Sequence, residues 1–313
     1  MSNISQAKPK VLVLLASRNG GINILQQLDS IQAQVGVELS IVIQDDNSSD
    51  ATAQFITTYA QTHRGNVQVF LNEVGTGSAG GNFKKLFTRV DARAFDYIAL
   101  ADQDDIWLPD KLIRAANCLA VSNAGGYSAA VEAFWSDGRS RILRQSNRMS
   151  DADFLFEGAG QGCTFVIPFK NFEKVQAFCR EHSKIVSKMH YHDWLIYLLI
   201  RTWCGTWYFD QNVAMRYRQH EGNEIGSRGS IGAFQYRINK VKNGWYREQI
   251  LCALKIHNLA AEQTLLLASF QELLLEKNTF FRKLKISFFL LNHSRRKFSE
   301  RLFLIFCAVC GWI

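Results

Sequence analysis

Phe95-Asp-Tyr-Ile-Ala-Leu-Ala-Asp-Gln-Asp-Asp-Ile-Trp107 joins a β-like run, 95–101, to a cluster of acids just before a helix start near Pro109. Acids left unpaired at a strand end need a cation. Asp102 and Asp104 can present two oxygen ligands to one Mg²⁺ or Mn²⁺, hard ions that bridge carboxylates to substrate phosphates. The alternative is an Asp-rich turn capping the following helix. Capping accounts for one acid but not readily for three.

Outward from this stretch the chain alternates strand and helix. Val11–Ala16 and Leu39–Ile43 are short runs of Val, Ile and Leu, separated by a segment, Asn23–Gln34, in which Ile24, Leu25, Leu28 and Ile31 keep helical spacing. A helix over 49–62, a strand over 67–71, a helix over 81–89 and a strand over 97–101 continue the pattern. Such alternation predicts buried parallel strands flanked by helices, with ligands at the carboxyl ends of the strands. Ser17-Arg18-Asn19, Asp45-Asp46 and Asp102-Gln103-Asp104 all fall at those ends. Further on, 110–121 reads as a helix, 129–135 and 162–168 as strands, and the chain from about Gly232 as helical.

Other clusters carry competing readings. In Asp45-Asp-Asn-Ser-Ser-Asp50, Ser48, Ser49 or Asp50 can cap the next helix, while a carboxylate at the strand end can accept the imide N–H of a pyrimidine base; Asp45 is preferred to Asp46 for that role. Gly75-Thr-Gly-Ser-Ala-Gly-Gly-Asn82 can bring backbone amides to a phosphate or serve as a plain connection. It is not the phosphate loop of nucleoside triphosphatases. His190-Tyr-His192, read as two histidines on one strand, is a weak metal pattern without a distant third ligand.

The seven cysteines, at 118, 163, 179, 204, 252, 307 and 310, form no zinc pattern, and their odd number argues against a closed disulfide framework. A reducing cytosol suits them. The first ten residues hold no export signal, and the longest apolar candidate, Leu302–Ile313, has twelve residues where a span needs about 20. Charge is uneven: residues 211–313 hold 16 Lys+Arg and 7 Asp+Glu, a net of +9 against +8 for the whole chain. The tail therefore favours a polyanionic partner.

Val11–Gly20, Ile41–Asp50, Ala101–Trp107, His192-Asp-Trp194 and Tyr217-Arg-Gln-His-Glu-Gly-Asn223 occur in order, and together they resemble the family 2 glycosyltransferases, particularly bacterial rhamnosyltransferases of surface polysaccharide. The likeness covers roughly 10–228. It implies a GT-A-type nucleotide-binding domain with a mixed, mostly parallel sheet over 1–231, followed by a basic helical region over 232–313. It implies nucleotide contacts from Ser17, Arg18, Asn19, Asp45 and Asp46, and a glycine loop, Gly80 and Gly81, beside the donor. It also implies Asp102 and Gln103 at the donor, Arg218 on its diphosphate, and His220 completing a metal shell with Asp102 and Asp104. Asp193 takes the place of the general base, although many members have Glu-Asp where this chain has His192-Asp193.

The activity so implied is inverting, metal-dependent transfer of a sugar from a nucleotide-diphosphate donor, dTDP-L-rhamnose first and a UDP-sugar second, to a polyprenyl-linked glycan. A nucleotidyltransferase, or a glycan- or lipid-binding protein without activity, is the rival reading. The tail interleaves Phe280, Phe281, Phe288, Phe289 and Phe298 with Arg282, Lys283, Lys285, Arg295, Arg296 and Lys297. This pattern suits an anionic membrane surface, each cation contributing on the order of 1 kcal/mol, and places the protein on the inner face of the plasma membrane. No nucleic-acid signature is present. The third option is a helical pair packed on the catalytic core or on a second subunit in a homodimer. The catalytic site is expected wholly before Gly232.

Overall fold

The computed structural model describes residues 7–63, 65–220 and 231–313. In chain order its strands are β1 Lys10–Ser17, β2 Glu38–Asp45, β3 Val67–Leu71, β4 Tyr97–Ala101, β5 Ile106–Trp107, β6 Tyr127–Phe134, β7 Ser140–Leu143, β8 Val166–Pro168 and β9 Tyr208–Arg218. Helices α1 Asn23–Gln32, α2 Thr52–Thr62, α3 Ala79–Arg89 and α4 Lys111–Ser122 alternate with the first strands. Then come α5 Phe169–Glu181, α6 Ser183–Val186 and α7 His192–Cys204. The chain closes with α8 Ile231–Lys242, α9 Trp245–Ala260, α10 Leu265–Leu275, α11 Phe280–His293 and α12 Phe298–Val309.

The sheet runs β3-β2-β1-β4-β8-β6-β9-β5, with β7 on the side of β6. Its long pairings are parallel: β1 with β2 and β4, β2 with β3, and β6 with β9. The short pairings of β8 with β4 and β6, of β5 with β9 and of β7 with β6 are antiparallel. Alternation predicts the parallel α/β part, β1 to β4, and the mixed, mostly parallel sheet is the one that the resemblance implies. In β1, Leu12, Leu14 and Ala16 join one core cluster while Val11, Val13 and Leu15 join the other. Side chains alternate across a strand, so a strand covered on both faces reads as an unbroken apolar run.

Several elements were not legible. β5 has two residues, and β9 carries Asp210, Gln211 and Asn212 near its start with register shifts beside it, which hides its periodicity. Tyr217-Arg218 therefore ends a strand, not a loop; residues 221–223 of that motif lie outside the described residues. His190-Tyr-His192 leads into α7 and is not a strand.

The C-terminal helices are not an appendage. Ile250, Leu254, Phe270, Leu290 and Leu304 belong to the same core cluster as Leu12 and Leu100. Between α11 and α12, Arg295 and Arg296 reach back to the segment 150–158: Arg296 N donates to Glu157 at 2.6 Å, its guanidinium lies 3.6 Å from Asp153, and Arg295 lies 3.3 Å from Glu157. Arg201 of α7 holds the other oxygen of Asp153 at 2.7 Å. Asp153 is fully buried and Arg296 only 4% exposed. Two of the basic residues that read as lipid-facing are thus spent inside the protein, because their carboxylate partners lie some 140 positions earlier. Among the described residues no helix is long and apolar enough to cross a membrane.

Candidate active site

The carboxyl ends of β1, β2 and β4 converge as the alternation predicts. Ser17 Oγ donates to Asp45 at 3.0 Å, and Ser48 donates to the same carboxylate from its N–H and its hydroxyl. Asn19, in a left-handed turn, ties the loop after β1 to Ser48 and Ser49. Arg18 and Gln103 exchange two hydrogen bonds, Arg18 N to Gln103 Oε1 at 2.7 Å and Gln103 Nε2 to Arg18 O at 3.0 Å, which clamps the loop after β1 to the loop after β4. Asp46 accepts from Asn72 and from the N–H and hydroxyl of Thr76.

A cavity of about 710 Å³ opens over these ends, within the range of small-molecule sites. Ser17, Arg18, Asp46, Asp102, Gln103, Asp104, Asp193 and His220 line it. Asn19, Asp45, Gly80, Gly81 and Arg218 are not on its wall. Asp46, not the preferred Asp45, faces the cavity, although both carboxylates are held, Asp45 by Ser17 and Ser48 and Asp46 by Asn72 and Thr76. The glycine loop spends its amides locally: Thr76 N on Asp46 and Gly81 N on the α3 cap, Ser78 Oγ. Gly80 instead permits close packing. A Cβ there would sit 2.2 Å from the carbonyl oxygen of His190, so this close approach of α3 to the chain leading into α7 requires a glycine.

The acids after β4 do not cap a helix; α4 begins at Lys111, and Asp110 before it makes no side-chain cap. Antiparallel pairing of Ile106 with Arg216 lays the end of β9 along the acid turn. Arg218 therefore donates from Nε to the Asp104 carbonyl at 2.8 Å and from its N–H to Asp105 at 3.2 Å, and His220 Nε2 reaches Asp104 Oδ2 at 2.5 Å. Arg218 braces the turn rather than facing the cavity.

Asp105 is fully buried, with one oxygen lacking a partner, and burial beside Asp102 and Asp104 pushes its carboxyl well above the usual range. Behind it the Cys163 thiol is likewise pushed up by burial, and burial brings the Lys111 ammonium down to about 7. Lys111 Nζ sits 2.9 Å from the Cys163 carbonyl and 3.0 Å from the centre of the Trp107 ring. Donor atoms of Asp102, Asp105 and Cys163 lie within 4.8 Å of one another. A thiol so raised stays protonated and is a poor ligand. Carboxylate oxygens with one imidazole suit Mg²⁺ or Mn²⁺; Asp102, Asp104 and His220, the ligands that the resemblance implies, all line the cavity, while the donor atoms that gather within 4.8 Å among the described residues are those of Asp102, Asp105 and Cys163.

Asp193 stands in the first turn of α7, where the partial positive charge of a helix start favours a carboxylate, and accepts from Trp194 N at 2.7 Å. His192 lies against Phe83, ring centres 3.9 Å apart, and burial lowers it to about 3. It is a neutral packing group. A Cβ on Gly162 would lie 2.8 Å from His192 Nε2 and 3.0 Å from Asp193 Cβ, so this glycine opens room beside the carboxylate.

Sequence reasoning missed the far wall. Glu157, Gly158, Gly160, Gln161, Gly162, Tyr191, Lys240, Trp245, Tyr246, Arg295, Ser299, Glu300, Phe303 and Leu304 also contribute to the cavity, so it does not lie wholly before Gly232. Gly158, Gly160 and Gly162, spaced by two in a polar segment, were the available signal.

Residues 13–178 match the family described as Glycosyl transferase family 2. The dTDP-rhamnosyl transferase RfbG of Shigella flexneri is 35% identical over 250 residues, covering 80% of this chain and 86% of that protein. The chain belongs to glycosyltransferase family 2. This family 2 glycosyltransferase shares its fold with solved structures at low identity. The mannosyltransferase PcManGT from Pyrobaculum calidifontis, in complex with GDP-Man and Mn²⁺, has a TM-score of 0.54 at 16% identity, over 97% of this chain and 87% of that one. S. aureus TarS 1-349 in complex with UDP has a TM-score of 0.55 at 14% identity, over 85% and 69%. The GT-A-like fold is common to all three.

Proposed function

We propose that this glycosyltransferase moves L-rhamnose from dTDP-L-rhamnose to a lipid-linked glycan with inversion at the anomeric carbon. The observation that carries the reading is that Asp102, Asp104 and Asp193 open on one cavity, so a leaving-group site and a base share one reaction volume. The likeness to the Shigella rhamnosyl transferase supports the choice of donor. Ser17, Arg18 and Asp46 hold the nucleotide. Asp102, Asp104 and His220 hold Mg²⁺ or Mn²⁺, which when bound offsets the charge on the departing diphosphate. Asp193 accepts the proton of the acceptor hydroxyl as that oxygen attacks the anomeric carbon opposite the diphosphate. The bond from that carbon to the phosphate oxygen breaks, and one displacement inverts the centre.

Location at the inner face of the plasma membrane belongs to the same proposal. Phe280, Phe281 and Phe288 on α11 are 75%, 73% and 70% exposed, and Phe298, Leu302 and Phe306 on α12 are exposed as well. Apolar groups gathered in this way mark an interaction surface. Lys277 and Lys285 are exposed in the same region and suit an anionic leaflet.

The test is incubation with a panel of nucleotide sugars and Mg²⁺ or Mn²⁺, followed by NMR of the products. Consumption of dTDP-L-rhamnose with release of dTDP and inverted anomeric configuration is expected. Release of pyrophosphate, or turnover of a different donor with retained configuration, overturns the reading.

A further inference from the structure

The part of the cavity farthest along the chain from the strand ends has a composition of its own. Its rings come from Tyr191, just before α7, from Trp245 at the start of α9 and from Phe303 of α12, all partly exposed. Tyr191 and Trp245 stand nearly perpendicular with centres 5.9 Å apart. Tyr191 is two residues before Asp193, so this aromatic corner begins beside the carboxylate that faces the acceptor. Carboxylates and an amide from Glu157, Glu300 and Gln161 complete the wall. Arg295 sits between the two acids, 3.3 Å from Glu157 and 3.0 Å from Glu300.

This chemistry suits a sugar ring. A pyranose presents a flat C–H face that packs on aromatic rings and hydroxyls at its rim that donate to carboxylates and exchange bonds with amides. The two carboxylates are offset by Arg295 between them and by Lys240, whose Nζ lies 4.2 Å from the Trp245 ring centre. Helix α12 adds the direction from which the ligand comes. Phe298, Leu302 and Phe306, four residues apart, form one exposed stripe, while Ser299, Glu300, Phe303 and Leu304 on the adjoining stripe line the cavity. The wall of the site and the apolar outer face are two sides of one helix. Trp245, Glu300 and Phe303 lie beyond the residues that match the family.

We propose that helices α9 and α12 build the acceptor subsite, a pyranose-binding slot between Tyr191, Trp245 and Phe303 with Glu157, Gln161 and Glu300 at its rim. Its ligand is the terminal sugar of a glycan whose lipid carrier lies along the exposed face of α12. The inference rests on the sugar-transfer reading, and its test is separable from it because binding is read at equilibrium without nucleotide.

The full-length protein is titrated with octyl glycosides of glucose, galactose, N-acetylglucosamine and rhamnose below their micellar concentrations, with tetraethylene glycol monooctyl ether as a sugarless control. Binding is followed by saturation-transfer NMR. Saturation of ring protons in at least one glycoside is expected, with Kd at least about tenfold weaker in Trp245→Ala and in Phe303→Ala and partly recovered in Trp245→Phe. Should one alanine variant fail to fold, the other decides. Saturation confined to the octyl chain in every glycoside, or ring-proton saturation undiminished in the folded variants, overturns the subsite. Donor hydrolysis measured in parallel separates the two ideas: a protein that cleaves dTDP-L-rhamnose but shows no ring-proton saturation keeps the reaction and loses the subsite.

Discussion

At the scale of single residues, the acids do different work according to what surrounds them. Asp104 accepts from His220 and faces the cavity, so Asp104→Asn removes the proposed anionic ligand without disturbing packing; turnover should fall at least about a hundredfold while the melting temperature holds, and EDTA should mimic the loss in the unaltered protein. Asp193→Asn removes the group proposed as the base that acts on the acceptor. Turnover should drop strongly while calorimetry finds nearly unchanged affinity for the nucleotide sugar. His192 gives a pH signature in stability. Burial holds its folded imidazole at about 3, against 6.5 in the unfolded chain, so between those values the unfolded state binds a proton that the folded state does not. Stability should therefore decline as pH falls from about 6.5, with a slope from this group of up to about 1.4 kcal/mol per pH unit. Denaturant titrations of His192→Leu should show a flatter acid limb, and an unchanged limb rules out this histidine as the source.

At the scale of elements, a contact between helices places the proposed catalytic side chain, Asp193. Helix α3 meets the entry to α7 at Gly80, where the carbonyl of His190 occupies the space of a side chain. Gly80→Ala should destabilise the protein by about 1–3 kcal/mol, because neither backbone can yield easily, and should lower activity by shifting the start of α7 that carries Asp193. Gly81→Ala meets the movable Thr76 and Ser78 side chains instead and should cost less. Thermal unfolding of the pair checks the order, and equal losses would remove the argument from Gly80. Boundaries of β3 and β4 were legible because each is a short apolar run between polar turns. β5 and β7 were not, since a strand of two to four residues owes its existence to the partner beside it.

At the scale of the whole molecule, the C-terminal helices are part of the enzyme's core and one wall of its cavity. Deleting residues 280–313 strips Glu157 of both arginines and uncovers the apolar core beneath Leu290 and Leu304. Loss of a buried ionic partner alone costs about 3–5 kcal/mol, a large share of the roughly 5–15 kcal/mol that holds a domain together. The truncated chain should fail to fold and lose donor hydrolysis, as circular dichroism and activity will show. Replacing Phe280, Phe281 and Phe288 together by Ser changes only exposed positions. That variant should keep its melting temperature and hydrolysis but leave vesicles of anionic lipid in a flotation assay. Retained flotation would turn the apolar face toward a second subunit.

What the sequence determined by itself was local or periodic. The βαβ alternation, the strand ends at Ser17, Asp45 and Asp102, and Asp193 at a helix start follow from apolar spacing and from motifs read in order, because each depends on neighbours within a few positions. Tertiary structure alone decided which carboxylate lines the cavity, since both are hydrogen-bonded, Asp45 to Ser17 and Ser48 and Asp46 to Asn72 and Thr76. Asp45 and Asp46 are adjacent in the chain, yet Ser17, 28 residues away, takes the first and the second faces the site. It alone decided the fate of Arg295 and Arg296 as well. A basic pair in an apolar helical tail has the same local pattern whether it meets lipid phosphate or a buried carboxylate, and the carboxylates that claim it come from a segment 138 or more positions earlier.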